Sequence, residues 1–94
     1  MIAKKHEIEY KTILAVCDAI HLGKTYEDGE IQIKISQQFY GGEKITPEEF
    51  KQMVKEADSI NLFGDKCVDI ALKEGYVSEK SVRKICGIKH ALIC

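Results

Sequence analysis

The sequence has few of the features that mark a disordered, secreted or membrane-spanning chain. One of its 94 residues is proline, tryptophan is absent, and no apolar run reaches the roughly 18 residues of a membrane helix. With 45% hydrophobic and 31% charged residues, the composition is that of a folded globular chain. The N-terminus lacks the apolar core of a signal peptide. We therefore expect a single domain over residues 1–94, cytoplasmic and with no membrane partner.

The four cysteines have neither disulfide nor metal-site spacing. No Cys-x-x-Cys pair occurs, and Cys17, Cys67 and Cys86 lie within apolar runs. This pattern is typical of free thiols in a reducing compartment. The three histidines also match no zinc motif. The sequence therefore predicts no metal site and no cofactor.

Charge is balanced over the whole chain but uneven along it. The formal net charge is −1, so the molecule as a whole neither attracts nor repels nucleic acid strongly. Both ends are locally basic, and they would form one patch if they met in a sheet; otherwise these are scattered, solvated side chains. The basic residues are Lys4, Lys5 and His6 at the N-terminus, and Lys80, Arg83, Lys84, Lys89 and His90 near the C-terminus.

Apolar patterning predicts about five strands. Residues 12–17 are continuously apolar, as in a strand covered on both faces, whereas Ile31, Ile33 and Ile35 alternate with polar residues as in a half-buried strand. A polar connection rich in turn-forming residues separates these two, over residues 23–29. Further strands are expected over residues 2–6, 82–86 and 88–93, the last two flanking Gly87.

Between the strands we expect two helices separated by a break near Asp58-Ser59; the alternative is one long helix. Thr46 followed by Pro47 and Glu49 forms a capping box with proline at the first helical position. Apolar residues at helical spacing then predict a second helix over residues 60–74, ending at Gly75. The fold class is therefore α+β, with a small mixed or antiparallel sheet of about five strands packed against two helices.

Asn61 and Gly64 lie within this predicted second helix, although both residue types disfavour a helix interior. A compensating interaction is expected. The alternatives are a buried structural hydrogen bond for Asn61 with close packing on Gly64, or a binding role for these residues. Asp18, at the end of its strand, has the same two interpretations.

Five short motifs, in this order and spanning nearly the whole chain, resemble the archaeal family called domain of unknown function 424. The resemblance implies an archaeal, cytoplasmic protein of unestablished activity, associated with translation. Lys89 stands where members of the family often have proline. The motifs are Ala15-Val16-Cys17-Asp18, Leu22-Gly23-Lys24-Thr25, Phe39-Tyr40-Gly41-Gly42-Glu43, Asn61-Leu62-Phe63-Gly64 and Gly87-Ile88-Lys89-His90-Ala91.

Residues 18–25 fit the phosphate-loop pattern except at the first position. Asp18 stands there in place of glycine and would bring a carboxylate toward the phosphates. The residues after Thr25 also favour a turn rather than the helix that a phosphate loop needs. We therefore expect no nucleotide binding, with Lys24 facing water.

The segment Phe39-Tyr40-Gly41-Gly42 is a candidate binding turn. Its glycines permit positive φ angles and its rings are able to stack on a base, with Tyr40 at the rim. Alternatively, the glycines form the turn leading to Thr46 while Phe39 closes the core.

Three hypotheses of function follow, in order of preference. The first is a non-catalytic binding module in archaeal translation or RNA metabolism, whose partner is RNA or a ribosome-associated protein; its candidate residues are Tyr40, Gly41, Gly42, Asn61, Lys84, Lys89 and His90. The second is a protein–protein adaptor that uses a sheet edge or an aromatic patch. The third is an enzyme, which requires Asp18, Lys24, Asn61 and His90 to converge in one cleft. The sequence leaves the oligomeric state open.

Overall fold

Two sheets and three helices make up the computed structural model, which describes residues 1–94. A mixed six-stranded sheet has the strand order β5-β1-β2-β6-β8-β7, and β3 pairs with β4 in a separate hairpin. Only the β2–β6 pair in the sheet is parallel. In chain order the elements are β1 (Ile2–Ile8), β2 (Lys11–Cys17), β3 (Thr25–Asp28), β4 (Ile31–Lys34), α1 (Gln37–Tyr40), β5 (Glu43–Lys44), α2 (Pro47–Glu56), β6 (Ser59–Phe63), α3 (Asp65–Lys73), β7 (Arg83–Ile85) and β8 (Ile88–Ile93).

The α+β class and the mixed sheet are confirmed, but the elements are more numerous than expected. The large sheet has six strands, the polar connection at residues 23–29 contains β3, and α1 adds a third helix. The strand pattern of β1 extends to Ile8 because a two-residue turn, with Glu9 and Tyr10 both at positive φ, closes a tight hairpin onto β2. No helix of the chain is both long and apolar enough to span a bilayer.

The capping box of α2 forms as the sequence predicts. The Glu49 backbone N–H donates to Thr46 Oγ1 over 3.1 Å, and the Thr46 N–H donates to Glu49 Oε1 over 3.0 Å. Ile45, just before the cap, packs on the same cluster as the fully buried Phe50. These contacts fix where α2 begins and direct its apolar side onto the sheet.

The prediction of one continuous helix over residues 60–74 is wrong. Residues 59–63 form β6 instead, and only the part from Asp65 onward is helical. Gly64 joins the two elements with φ at +129°, a backbone conformation that side-chain-bearing residues rarely adopt. The buried residues of β6 happen to continue the helical spacing of the buried residues of α3, so the sequence pattern does not show the boundary between the two elements.

The sheet separates two apolar clusters. On its helix side, Leu14, Val16 and Leu62 pack against α2 and α3. On its opposite side, which we call the hairpin side, Cys17 and Phe63 pack under α1 and the β3–β4 hairpin, together with Ile2. Because α1 and the hairpin are small, they cover only part of the hairpin side.

Candidate functional site

Part of the hairpin side is left uncovered by α1 and the β3–β4 hairpin, and we call this surface the open face. Strand register arranges its residues in rows that run across the strands. In one row Ile13 lies between His6 and Ser59, and in the next Asn61 lies beside Leu92. Two large apolar side chains are more than half exposed here, Ile8 and Leu92, each at 56%. The open face comprises His6, Ile8, Lys11, Ile13, Ser59, Asn61 and Leu92.

The strands of the large sheet contribute charge of one sign to the hairpin side, although the β3–β4 hairpin packed on that side carries Glu27 and Asp28. Side chains alternate between the two sides of each strand, and none of the large sheet's strand residues facing this side is acidic. Lys4 and Lys11 lie toward one end of the strand order, and Arg83 lies toward the other. Part of each basic segment therefore faces the same side of one sheet, but β6 and β8 lie between Lys11 and Arg83, so the two groups of basic side chains do not merge.

Tyr40 is buried, with 3% of its surface exposed, and does not lie at the exposed rim that the sequence predicted. Its hydroxyl donates to Asn61 Oδ1 over 3.3 Å, and burial raises the pKa of Tyr40 to about 12. Asn61 therefore has a structural hydrogen-bond partner, and Tyr40 presents no free ring face to a ligand.

Gly41 and Gly42 are needed for close packing, not for positive φ; neither has a φ in the left-handed region. A Cβ at Gly42 would overlap the Ala3 carbonyl oxygen of β1, and one at Gly41 would overlap the Gln37 carbonyl oxygen. The turn interpretation holds, and these glycines let the chain pass tightly from α1 to β5.

A pair of stacked rings borders the open face. The His6 and Phe39 ring centroids are 5.0 Å apart and the planes differ by 16°. His6 Nε2 also lies 2.8 Å from the Phe39 carbonyl oxygen, which holds the imidazole against α1. Both side chains are half-buried, and they are the rings nearest to a ligand lying on the open face. The alternation of Lys4, His6 and Ile8 is the sequence signal for this row of side chains, but the strand predicted over residues 2–6 ended before Ile8.

Asp18 caps a helix remote from it in sequence. Its Oδ2 accepts from the Lys66 backbone N–H over 2.9 Å, and its Oδ1 accepts from the Cys67 N–H over 3.1 Å. This buried carboxylate therefore satisfies the first amides of α3 and complements the helix dipole. Lys24 is exposed in the loop before β3, and a three-residue 3-10 turn, Ala19–His21, replaces the helix of a phosphate loop.

The basic residues of the β7–β8 hairpin divide between the two sides of the sheet. Lys84 and Lys89 are cross-strand partners on the helix side, where Lys89 Nζ contacts Asp69 Oδ1 at 2.6 Å. The hydrogen bond to Asp69 raises the pKa of Lys89. Arg83 and His90 are cross-strand partners on the hairpin side. The C-terminal basic cluster is therefore two surfaces, and one of them is partly neutralised.

His90 lies beside a groove at the β7 edge. Burial, followed by the charge of Arg83, lowers the pKa of His90 below its ordinary value of 6.5. The imidazole is therefore neutral at pH 7 and offers one donor and one acceptor. Its ring centroid is 6.0 Å from that of Phe63, so the ring packs on the aromatic core of the hairpin side.

The four residues proposed for an enzyme cleft do not converge. Asp18 lines a small cavity near Met1, His90 lines the groove at the β7 edge, and neither Lys24 nor Asn61 lines either space. The Asp18 and Asn61 side chains are held by the helix cap and by Tyr40 respectively. The arrangement lacks the shared pocket on which the enzyme hypothesis depended.

Fold and surface together define a small α+β domain built on a mixed six-stranded sheet that is open on part of one side. The chain belongs to the family described as protein of unknown function (DUF424), whose model matches residues 6–94. Its fold is similar to that in the crystal structure of an uncharacterized conserved protein from Methanopyrus kandleri, with a TM-score of 0.82 and 22% sequence identity over 98% of this chain and 88% of that one. No curated protein matches the chain. The family resemblance read from the five motifs is thus confirmed.

Proposed function

We propose that the protein binds single-stranded RNA on the open face, as a non-catalytic module of archaeal RNA metabolism or translation in the cytoplasm. The observation that carries the proposal is a partly apolar sheet surface, flanked by basic side chains, to which the strands of the large sheet contribute no acidic residue. The similarity to a Methanopyrus kandleri protein supports the archaeal part of this proposal.

The dimensions of the open face suit a few nucleotides. Adjacent strands are about 4.8 Å apart, so β1 and β8 are separated by about 14 Å across β2 and β6. RNA-binding sheets of four strands accommodate two or three unstacked bases over a comparable width. Bases would lie over Ile13 and Leu92, the Asn61 amide would hydrogen-bond to a base edge, and the His6–Phe39 pair would provide a stacking surface.

The basic side chains flanking the open face would contact phosphates. Four such contacts, for example from Lys4, Lys11, Lys80 and Arg83, give a slope of log affinity against log salt of about −3 for a single strand. Affinity would then fall about 50-fold between 50 and 200 mM salt. Two acids, Glu9 and Asp58, lie in the turns at one end of the open face, where Asp58 accepts from the Thr12 N–H over 2.7 Å. They would confine the RNA to the middle of the sheet.

The test is fluorescence anisotropy with labelled single-stranded RNA over a salt series, using paired variants. Lys11→Glu should weaken binding at least tenfold and reduce the salt slope by about 1, since a phosphate contact is replaced by a repulsive charge. Its matched control is Lys55→Glu, on the exposed surface of α2. Leu92→Glu should likewise weaken binding. Its control is Ile31→Glu, because Ile31 is equally exposed, at 57%, but lies in β4 outside the open face.

Three outcomes would contradict the proposal. They are absence of RNA binding at low salt, equal effects of the open-face and control variants, and binding that does not respond to salt. Recovery of one protein partner from the native host, insensitive to both salt and nuclease, would instead support the adaptor hypothesis.

A further inference from the structure

A groove of about 460 Å³ lies where the sheet narrows at its β7 edge. β7 pairs with β8 only from Arg83–His90 to Ile85–Ile88, while β8 continues to Ile93. Before β7 the chain turns away through a 3-10 turn, Glu79–Ser81. The groove lies between this turn and the unaccompanied end of β8. It is lined by Lys80, Ser81, Arg83, His90, Ala91 and Leu92.

The groove contains hydrogen-bond donors and no acid. Neither Lys80 nor Arg83 has an ion-pair partner, and both are exposed. The Ser81 hydroxyl, 3.4 Å from that of Ser78, has capacity for a further hydrogen bond. Glu79, the nearest acid in sequence, lines a different cavity, on the Lys84 side of the hairpin.

Strand geometry directs one backbone amide, that of Leu92, toward the groove. Cys86 and Gly87 form a two-residue hairpin turn, both at positive φ, so Ile85 and Ile88 are a hydrogen-bonded pair. By alternation, the backbone of Leu92 points to the same side of β8 as that of Ile88, toward the groove. No strand residue pairs with Leu92 on that side, because β7 begins at Arg83.

We propose that this groove is a phosphate subsite, in which Lys80 and Arg83 bind one phosphate group of a nucleotide. The Ser81 hydroxyl and the Leu92 amide donate to the remaining phosphate oxygens, and the planar guanidinium supplies the bidentate contact that phosphate favours. Leu92 belongs to both the groove and the open face, so the subsite fixes where a bound strand leaves the sheet. In this respect the inference rests on the proposed RNA function.

The other side of the same hairpin explains why only one groove is suited to an anion. There Lys89 already contacts Asp69, the Lys89 N–H donates to Asp65 Oδ1 over 3.0 Å, and Glu79 lines the cavity. A phosphate on that side would meet three carboxylates. Lys84 therefore provides a matched control, since it is adjacent to Arg83 in the chain but faces the acidic side.

The experiment is an amide NMR titration of the ¹⁵N-labelled full chain with four probes. Inorganic phosphate, uridine monophosphate and the dinucleotide UpU should shift the amides of Lys80 to Arg83 and of Leu92, whereas uridine should not. Dissociation constants in the millimolar range are expected for one phosphate group, so the titrations extend to about 10 mM. A response to the monophosphate but not to UpU assigns a terminal phosphate, and a response to both assigns the strand backbone; either supports the subsite.

Variants separate the possible failures. Arg83→Ala should weaken phosphate binding about tenfold, Arg83→Lys less, and Lys84→Ala not at all. The subsite is refuted if no phosphate shifts these amides, or if Lys84→Ala acts like Arg83→Ala. Should phosphates bind here while RNA never perturbs Ile13 or Asn61, the RNA function fails and the subsite stands. If RNA binds the open face and Arg83→Ala has no effect, only the subsite fails.

Discussion

The contact between Asp18 and the start of α3 gives a quantitative prediction of stability. Asp18→Ala removes both acceptors of the Lys66 and Cys67 amides and leaves two donors at a buried helix end without a protein partner. A helix cap contributes up to about 2 kcal/mol, and a hydrogen bond to a buried charged group about 1.5–3 kcal/mol. We expect a loss of about 3 kcal/mol for alanine. Asparagine retains one acceptor oxygen, so Asp18→Asn should cost about half as much.

The assay is urea unfolding followed by circular dichroism. A loss of about 3 kcal/mol, with a slope of about 1–1.5 kcal/mol per molar urea, lowers the midpoint by about 2–3 M at unchanged slope. Asp69→Ala is the control, since it removes an exposed ion pair with Lys89 and should cost less than about 1 kcal/mol. A cost below about 0.5 kcal/mol for Asp18→Ala, or a cost no greater than that of the control, would refute the assignment of Asp18 as a helix cap.

A double-mutant cycle tests the same contact independently. A Cβ at Gly64 would overlap the Asp18 carboxylate, and the positive φ adds strain of its own. Gly64→Ala should therefore be strongly destabilising in the natural chain and less so in the Asp18→Ala background, where only the backbone strain remains. Strictly additive losses would show that the two residues do not contact each other as described.

Two further predictions concern titration and thiol chemistry. Because the pKa of His90 is lowered in the folded chain, its protonation favours unfolding: the associated stability is present above pH 6.5 and is lost as pH falls through the lowered value. Urea midpoints between pH 7 and 5 should fall less steeply for His90→Gln, and an identical pH dependence would contradict this. Of the four thiols, we expect Cys86 and Cys94, which are exposed, to react rapidly with Ellman's reagent at pH 8, and the other two only on unfolding. Burial, with the Asp18 charge as the second cause, raises the pKa of Cys17 to about 11 and raises the pKa of Cys67 further above its ordinary value. Four rapidly reacting thiols would contradict the buried placement.

Elements with local determinants were predictable from the sequence. The α2 cap depends on residues three apart, and the β7–β8 hairpin depends on a turn at Gly87, so both were found. β2 was found because an uninterrupted apolar run is typical of a strand covered on both sides. In each of these cases neighbouring residues alone determine the local structure.

Elements determined by distant contacts were not predictable. The boundary at Gly64 was hidden because β6 and α3 join through one residue and their buried positions continue a single helical spacing. The unfavourable Asn61 and Gly64 were the available sign that a helix was the wrong assignment. Asp18 reaches Lys66 from far along the chain, and Tyr40 is buried only because α1 lies on the sheet; no local pattern encodes either contact.

The candidate site was only partly predictable, because it depends on which strands become neighbours. The sequence identified Asn61, Arg83 and His90 but not that Ile13 and Leu92 lie beside them on one side of a sheet. It also grouped Lys84 and Lys89 with Arg83, although alternation along a strand sends adjacent residues to opposite sides. Once the strand order is known, the division of these basic residues between the two sides of the sheet follows directly.

The single parallel pairing, β2 with β6, has a consequence for how the molecule assembles. The three hairpins, β1–β2, β3–β4 and β7–β8, each join segments adjacent in the chain and require only short loops to close. The β2–β6 pairing instead requires everything between Cys17 and Ser59 to be gathered into one large loop. The slow step in folding should therefore be the pairing of β2 with β6, after the hairpins have formed. A substitution at Leu14 or Leu62 should then slow folding more than a substitution in any hairpin turn.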